Sequence, residues 1–316
     1  MRVPLADQNN FPRYRLIFLL FLSGFCALVY QVAWLRELRL VCGASTMAIS
    51  AVLAIFMGGI GFGSYFLGSY AEKHKEPLKL YGYLELGIAV AAFASPFLIS
   101  VVRLLYIAMG GSQAMGLPLA TFVRLVMSAM ILGVPTFLMG GTLPAVVRAV
   151  ETDADVDRSD VGLLYGINTL GAVSGVLFAY FFMLEHLGTL TTTWMASLLN
   201  GMVGLGALKL ARNLYSEKPA VEQKAVKDEL AAADTASSTY NRKLVLTAGA
   251  VVGFVFLLME IVWYRMLSPL LGGTTYTFGL VLAVALLGIG IGGWLYSLRR
   301  LNAPVTLVGF ATTCGL

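Results

Sequence analysis

Eight apolar runs, each near the roughly 20 residues that a helix needs to cross a bilayer core, dominate this chain and leave little between them but short charged stretches. They cover residues 15–36, 46–70, 80–107, 117–141, 161–184, 189–211, 243–266 and 274–298. A further apolar segment begins near Pro304 and stops short of a full span at Leu316, which is expected to be a half-helix against other protein or the opening of a longer stretch. A soluble domain carries roughly 25% charged residues. This chain of 316 residues has 12% charged against 58% hydrophobic. Lipid tolerates such an outer surface, provided every backbone polar group is satisfied internally. The expected fold is therefore all-α and integral to the membrane, with about eight spanning helices.

Arg2, Arg13 and Arg15 precede the first run in the manner of a signal peptide. The run from Leu16 to Trp34 is long enough to span, and no small-residue cleavage site ends it. A retained first helix is expected. With the N-terminus inside, the basic loop residues gather on the cytoplasmic side: Lys73, Lys75 and Lys79; Arg148 and Arg158; the cluster from Lys209 to Lys243; and Arg299 with Arg300. Arg36, Arg39, Arg103, Arg124 and Arg265 are left for the membrane or the far side. This bias predicts a multi-pass protein of the plasma (inner) membrane with a cytoplasmic N-terminus.

The net charge of +5 does not point to nucleic acid, because the basic residues interrupt apolar runs and form no aromatic-interleaved stripe. Cys26, Cys42 and Cys314 have no redox or metal spacing, and His74 and His186 lie far apart. No metal and no cofactor are expected. The alternating aspartates between Glu151 and Asp160 lack the glycine and terminal glutamate of a calcium loop, so a solvated loop is predicted. Residues 213–241, rich in Ala, Lys and Glu, read as a flexible cytoplasmic linker.

The sequence also repeats itself. Residues 24–65 match residues 253–294 without gaps: Gly24, Phe25, Trp34, Arg36, Gly43, Gly59, Ile60, Gly61 and Gly63 recur as Gly253, Phe254, Trp263, Arg265, Gly272, Gly288, Ile289, Gly290 and Gly292. Shared hydrophobicity alone does not reproduce Trp, Arg and Gly in register. The first span thus matches the seventh, an even number of crossings later, which predicts a parallel internal repeat such as relates the halves of major-facilitator transporters. The predicted units are a six-helix transmembrane bundle over 1–212, the linker over 213–241, and the start of a second transmembrane repeat over 242–316. About two of six helices of that second repeat are present.

Three stretches carry a resemblance: SGFCALVYQVAWLRELRLVCGASTMAISAVLAIFMGGIGFGS, PTFLMGGTLPAVVRAV and YGINTLGAVSGVLFAYFFMLEHLG. Together they resemble the membrane portion of fused major-facilitator/spermidine-synthase-like proteins, over nearly the whole chain except the linker. The resemblance implies a major-facilitator-like helical bundle and a link to polyamines. In that family a soluble aminopropyltransferase-like domain follows the membrane part. Residues 1–316 contain no such α/β segment and no acidic catalytic loop, so the membrane module alone is implied and no catalytic residues are expected.

The glycine clusters 59–63 and 288–293 superficially resemble nucleotide loops, but they lie inside apolar spans rather than between a strand and a helix. Close helix packing is the expected role, for these as for Gly133, Gly140, Gly141, Gly171 and Gly175. Trp34 with Arg36, and Trp263 with Arg265, are expected near the outer ends of their helices. Two readings are open there: interfacial anchors, or a pseudo-symmetric pair of cations guarding a central cavity. Pro135 and Pro144 bracket the MGG turn of the fourth helix and are expected to kink it, as a static kink or as a gating bend. Intramembrane carboxylates usually face a cavity or a partner, which marks Glu85 and Glu260. Glu260 has Gln31 as its repeat mate, so the position is polar in both copies. A bound cation or proton, or an ion pair with Arg124 or Arg36, would each satisfy Glu260. Asn168, Thr169 and Asn200 are polar groups suited to interhelical bonds.

The substrate-binding candidates are therefore Glu260, Gln31, Glu85, Arg124, Trp34, Trp263, Arg36 and Arg265. Three functions fit: a transporter-like module for a small cationic or zwitterionic metabolite, by fold-level analogy; a scaffold or accessory subunit that meets a partner subunit or a second copy in the bilayer; or the membrane part of an aminopropyltransferase-like enzyme.

Overall fold

The computed structural model describes residues 13–42, 46–150, 159–216, 242–272 and 275–298. Arg2, the aspartates at 153–157, the linker beyond Ser216, Cys314 and the segment from Pro304 lie outside the described residues. The described residues contain no strand, and eight of their helices are long and apolar enough to cross a membrane.

The spans are α1 (Arg13–Cys42), α2 (Thr46–Lys73), α3 (Pro77–Ala108), α4 (Leu117–Val150), α5, α6 (Gly188–Ser216), α7 (Arg242–Leu271) and α8 (Thr275–Leu298). The α5 span is built from an α-helix Ser159–Phe178, a π turn Ala179–Met183 and a last turn Leu184–His186. A one-turn helix Gly111–Met115 joins α3 to α4. The helices exceed a bare crossing. The 34 residues of α4 make about 51 Å at the usual rise, against a hydrocarbon core of about 30 Å. Their charged ends, such as Lys73 and Arg148, thus have length to reach past the core.

Pro135 and Pro144 both lie inside the continuous α4 helix. The prolines leave the carbonyls of Ile131 and Gly140 without a helical donor, while the hydroxyls of Thr136 and Thr142 donate to the carbonyls of Leu132 at 2.7 Å and Met139 at 2.8 Å. One sequence expectation is corrected: Trp34 is not at a helix end. Helix α1 runs on for two more turns to Cys42, and Trp34 is 1% exposed. An anchor at the headgroup level is therefore ruled out for Trp34.

Helix pairs meet through several of the expected glycines, whereas Gly61, Gly133, Gly288 and Gly292 have nothing within 4 Å of where a Cβ would stand. The broadest contacts are α2 with α4, α3 with α6, α5 with α8 and α1 with α5. At α1–α5, a Cβ added to Gly24 would overlap the Asn168 carbonyl, and one added to Gly171 or Gly175 would overlap the carbonyls of Phe21 or Phe25. At α2–α4, Gly59 meets Thr136, Gly63 meets the Phe137 carbonyl, and Gly140 meets the backbone of Ile60 and Ser64. At α5–α8, Gly166 lies against Gly290 and Gly293. Without an internal hydrophobic drive in lipid, bared backbones brought into dispersion contact are what hold such helices together.

The core forms two clusters. One surrounds Leu16, Leu20, Leu78, Tyr81, Leu84, Val146 and Val203, on the side of the bundle where α1 begins. The other surrounds Tyr30, Trp34, Phe56, Ile99, Tyr180 and Phe278, toward the opposite side. Helix α7 is the barest span, with only 6% of its most apolar window buried. Its contacts are chiefly with α8, where Tyr264 meets Phe278 edge-on at 5.8 Å.

Candidate functional site

A cavity of about 420 Å³ lies inside the bundle formed by α1–α6. Each of the six helices contributes to it, including Ser23, Gly24 and Leu28 from α1, Phe56, Ile60 and Ser64 from α2, and Glu85 and Ile88 from α3. Helix α4 adds Met139, Gly140, Thr142, Pro144 and Val147, α5 adds Tyr165 and Asn168, and α6 adds Asn200. These residues stand mid-helix in α1, α2 and α6, in the first third of α3 and α5, and in the second half of α4. The cavity therefore runs from the middle of the bundle toward the end where α1 begins. Ser64 and Tyr165 are exposed, whereas Glu85 is 0% exposed. The carboxylate is the deep end and the serine and tyrosine lie toward the surface.

Glu85 is held by two neighbouring helices. Ser23 Oγ donates to its Oε1 at 2.5 Å, and Asn200 Nδ2 donates to its backbone carbonyl at 2.7 Å. These bonds join α1, α3 and α6 at one level. A hydrogen bond to a charged group contributes about 1.5–3 kcal/mol. The second carboxylate oxygen, Oε2, is buried and makes no hydrogen bond of good geometry among the described residues, although the Tyr81 hydroxyl and the Asn200 amide both bear on the carboxyl group. Buried carboxylates are ordinarily paired or hydrogen-bonded, so this oxygen is the clearest unmet valence at the cavity.

Helix α4 supplies a second acceptor. Pro144 has no N–H to give to the carbonyl four residues earlier, which is that of Gly140. Both residues line the cavity. The hydroxyls of Ser23 and Thr142 already donate inside the protein, so what they offer the cavity is lone pairs. None of the described lining residues is Lys, Arg or His.

The other sequence candidates do not join this site. Gln31 is buried in the opposite cluster region, and its Oε1 has no partner among the described residues. Glu260 is 1% exposed on α7, one turn before Tyr264, and both its carboxylate oxygens are buried without a hydrogen-bond partner there. The expected ion pair of Glu260 with Arg124 or Arg36 is not formed. Arg36 reaches the Leu184 carbonyl at 3.1 Å. Arg124 donates to the Ala120 carbonyl at 3.2 Å and stands 5.5 Å over the ring of Tyr106. Trp263 and Arg265 are exposed on α7. The pseudo-symmetric pairs thus differ: Trp34 is enclosed and Trp263 is not.

Asn168 and Asn200 were legible as polar groups within spans, and both line the cavity. Ser23, Thr142 and Tyr165 carried no such signal, being small or amphipathic residues in apolar runs. The spacing of Gly140 and Pro144 by four was a readable sign of a freed carbonyl. Among the described residues, no three His, Cys, Asp or Glu side chains come together as metal ligands. No protein-family model, curated protein or solved structure matches the chain.

Proposed function

We propose that this chain is a transporter-like membrane module that takes a small cationic or zwitterionic metabolite into the cavity at Glu85. The observation that carries the reading is the Oε2 of Glu85, buried beside a cavity and making no hydrogen bond of good geometry among the described residues. The cavity lies within the 300–1,000 Å³ range usual for small-ligand sites, and it combines apolar walls with a few convergent polar groups. The opposite half of the bundle is filled by Tyr30, Trp34 and Phe56, with Phe56 reaching the cavity itself. A cavity in one part of the bundle beside a packed aromatic cluster in the other fits one state of an alternating-access carrier.

The test is a thermal-shift screen of amines and amino acids on the purified protein in lipid nanodiscs, followed by uptake of any hit into proteoliposomes. Stabilisation and uptake are expected for wild type and lost in Glu85→Gln. If no compound gives a shift that depends on Glu85, the site is wrong.

A second reading, a membrane scaffold or accessory subunit, is favoured by a separate observation. Gly59 and Gly63 of α2 and Gly24 of α1 press on α4 and α5, but their repeat mates Gly288, Gly292 and Gly253 have nothing within 4 Å. The open faces of α7 and α8 have the form of seats for small-residue helices of a partner subunit. Native mass measurement in mild detergent tests this, and a lone monomer argues against it.

A further inference from the structure

The polar groups of the Glu85 cavity discriminate among the ligands just proposed, and resting on that reading, we infer that its ligand is an amphipathic monocation: one ammonium group on an apolar body, with no carboxylate and no second charge.

Charge is the first constraint. Among the described residues that line the cavity, Glu85 is the only Asp or Glu, and no Lys, Arg or His accompanies it. A zwitterion would bring a carboxylate that finds no cation there, and burying an unpaired charge is strongly unfavourable. A polyamine fails for the opposite reason. One carboxylate neutralises one ammonium, and the remaining charges would stand against Phe56, Ile60, Ile88, Met139 and Val147.

Hydrogen-bond polarity is the second constraint. Next to Glu85 the cavity offers acceptors, while the amides of Asn168 and Asn200 and the hydroxyl of Tyr165 place donors elsewhere in its lining. Oε2 makes no hydrogen bond of good geometry, the Gly140 carbonyl lacks its helical donor because residue 144 is proline, and the Ser23 and Thr142 hydroxyls have spent their protons on Glu85 and on the Met139 carbonyl. An ammonium has donors and no acceptor, which suits the lining next to Glu85. A carboxylate or phosphate would meet the Asn168, Asn200 and Tyr165 donors but no cation to balance its charge.

Size and walls are the third constraint. At about 20 Å³ per non-hydrogen atom, a cavity of about 420 Å³ admits a body of roughly ten to fifteen such atoms once packing gaps are allowed. Leu28, Phe56, Ile60 and Met139 give that body an apolar bed.

The test uses a matched set of probes on the full chain in nanodiscs: 2-phenylethylamine, phenylalanine, 2-phenylethanol and spermidine. Phenylalanine is the same amine with a carboxylate, and the alcohol keeps the ring without the charge. Binding is read by thermal shift and by calorimetry, on wild type, on Glu85→Gln and on Val147→Phe, which narrows the cavity but leaves the carboxylate. Phenylethylamine is expected to stabilise wild type, to bind about tenfold or more weakly in Glu85→Gln, and to lose binding in Val147→Phe. Phenylalanine, phenylethanol and spermidine are expected to bind at least about tenfold more weakly to wild type than phenylethylamine does. If phenylalanine or spermidine shows equal, Glu85-dependent binding, the monocation inference falls while the site stands. If phenylethylamine binds equally to all three proteins, or to none, the inference falls together with the assignment of the cavity. Should Glu85→Gln not fold, the Val147→Phe variant and the four-probe comparison on wild type decide alone.

Discussion

The indole Nε1 of Trp34 donates to the Oγ of Ser95 at 2.8 Å across the α1–α3 contact, and Ser95 in turn donates to the Ala92 carbonyl at 2.7 Å. Both side chains are buried. Trp34 also stacks on Tyr30 at 5.4 Å and 16° and leans on Phe56 at 6.3 Å. Phe56 is the residue this group shares with the cavity wall, so the tryptophan fixes the floor of the site.

Trp34→Phe removes the donor and three buried ring atoms. It is expected to lower stability by about 2–4 kcal/mol, and Ser95→Ala by about 1 kcal/mol. The double variant should lose less than the sum, because both single changes break one bond. Thermal melts in a fixed detergent measure the cycle. Strict additivity would mean that the bond contributes nothing.

Asn200→Leu removes the donor to the Glu85 carbonyl and is expected to destabilise by about 1–3 kcal/mol, the cost of a buried acceptor left without its partner. Ser23→Ala should have a comparable effect through Oε1. Melting curves check both. An unchanged midpoint in either would place the Glu85 anchorage elsewhere.

The glycine contacts yield a paired prediction at matched repeat positions. Gly63→Ala drives a methyl into the Phe137 carbonyl and is expected to cost about 1–3 kcal/mol through overpacking. Gly292→Ala enters open space and is expected to be neutral or to gain up to about 1 kcal/mol from helix propensity. The two alanine variants are compared by melting in the same detergent. Equal losses would show that the α8 face is occupied in the purified protein.

The topology of the described helices places the 74–76 loop and the Gly111–Met115 connection on opposite faces of the membrane. In a background lacking native cysteines, Ser112→Cys is expected to react with an impermeant thiol reagent on intact cells, and Lys75→Cys only after permeabilisation. The reverse pattern would invert the proposed orientation.

The spans were legible in the sequence because lipid imposes a length and an apolarity that no local propensity overrides. The close-packing role of Gly63, Gly140 and Gly171 was legible for a related reason: in lipid, small residues at helical spacing have few other uses. The partner of Trp34 was not legible, since Ser95 lies 61 positions away and only tertiary packing joins them. The prolines of α4 free two backbone carbonyls without ending the helix, which runs through both. Glu85 and Glu260 looked alike as carboxylates in apolar runs. Only the packing of α1, α4 and α6 around the first separates a cavity-lining group from one buried on the bare α7.

The π turn Ala179–Met183 bears on this architecture in a further way. A wide turn of this kind inserts one residue into an α-helical path. Upstream of it, Gly171 and Gly175 set the azimuth of α5 against α1. Downstream, the Leu184 carbonyl faces Arg36 and the Gly188 backbone, at φ 72°, starts α6. An unbroken α-helix would rotate everything after the turn by about 100° and bring the two ends out of phase. The π turn is therefore a phase correction between two registers that one helix has to satisfy. Deleting a single residue there forces the chain to choose between its glycine seam and its arginine clasp.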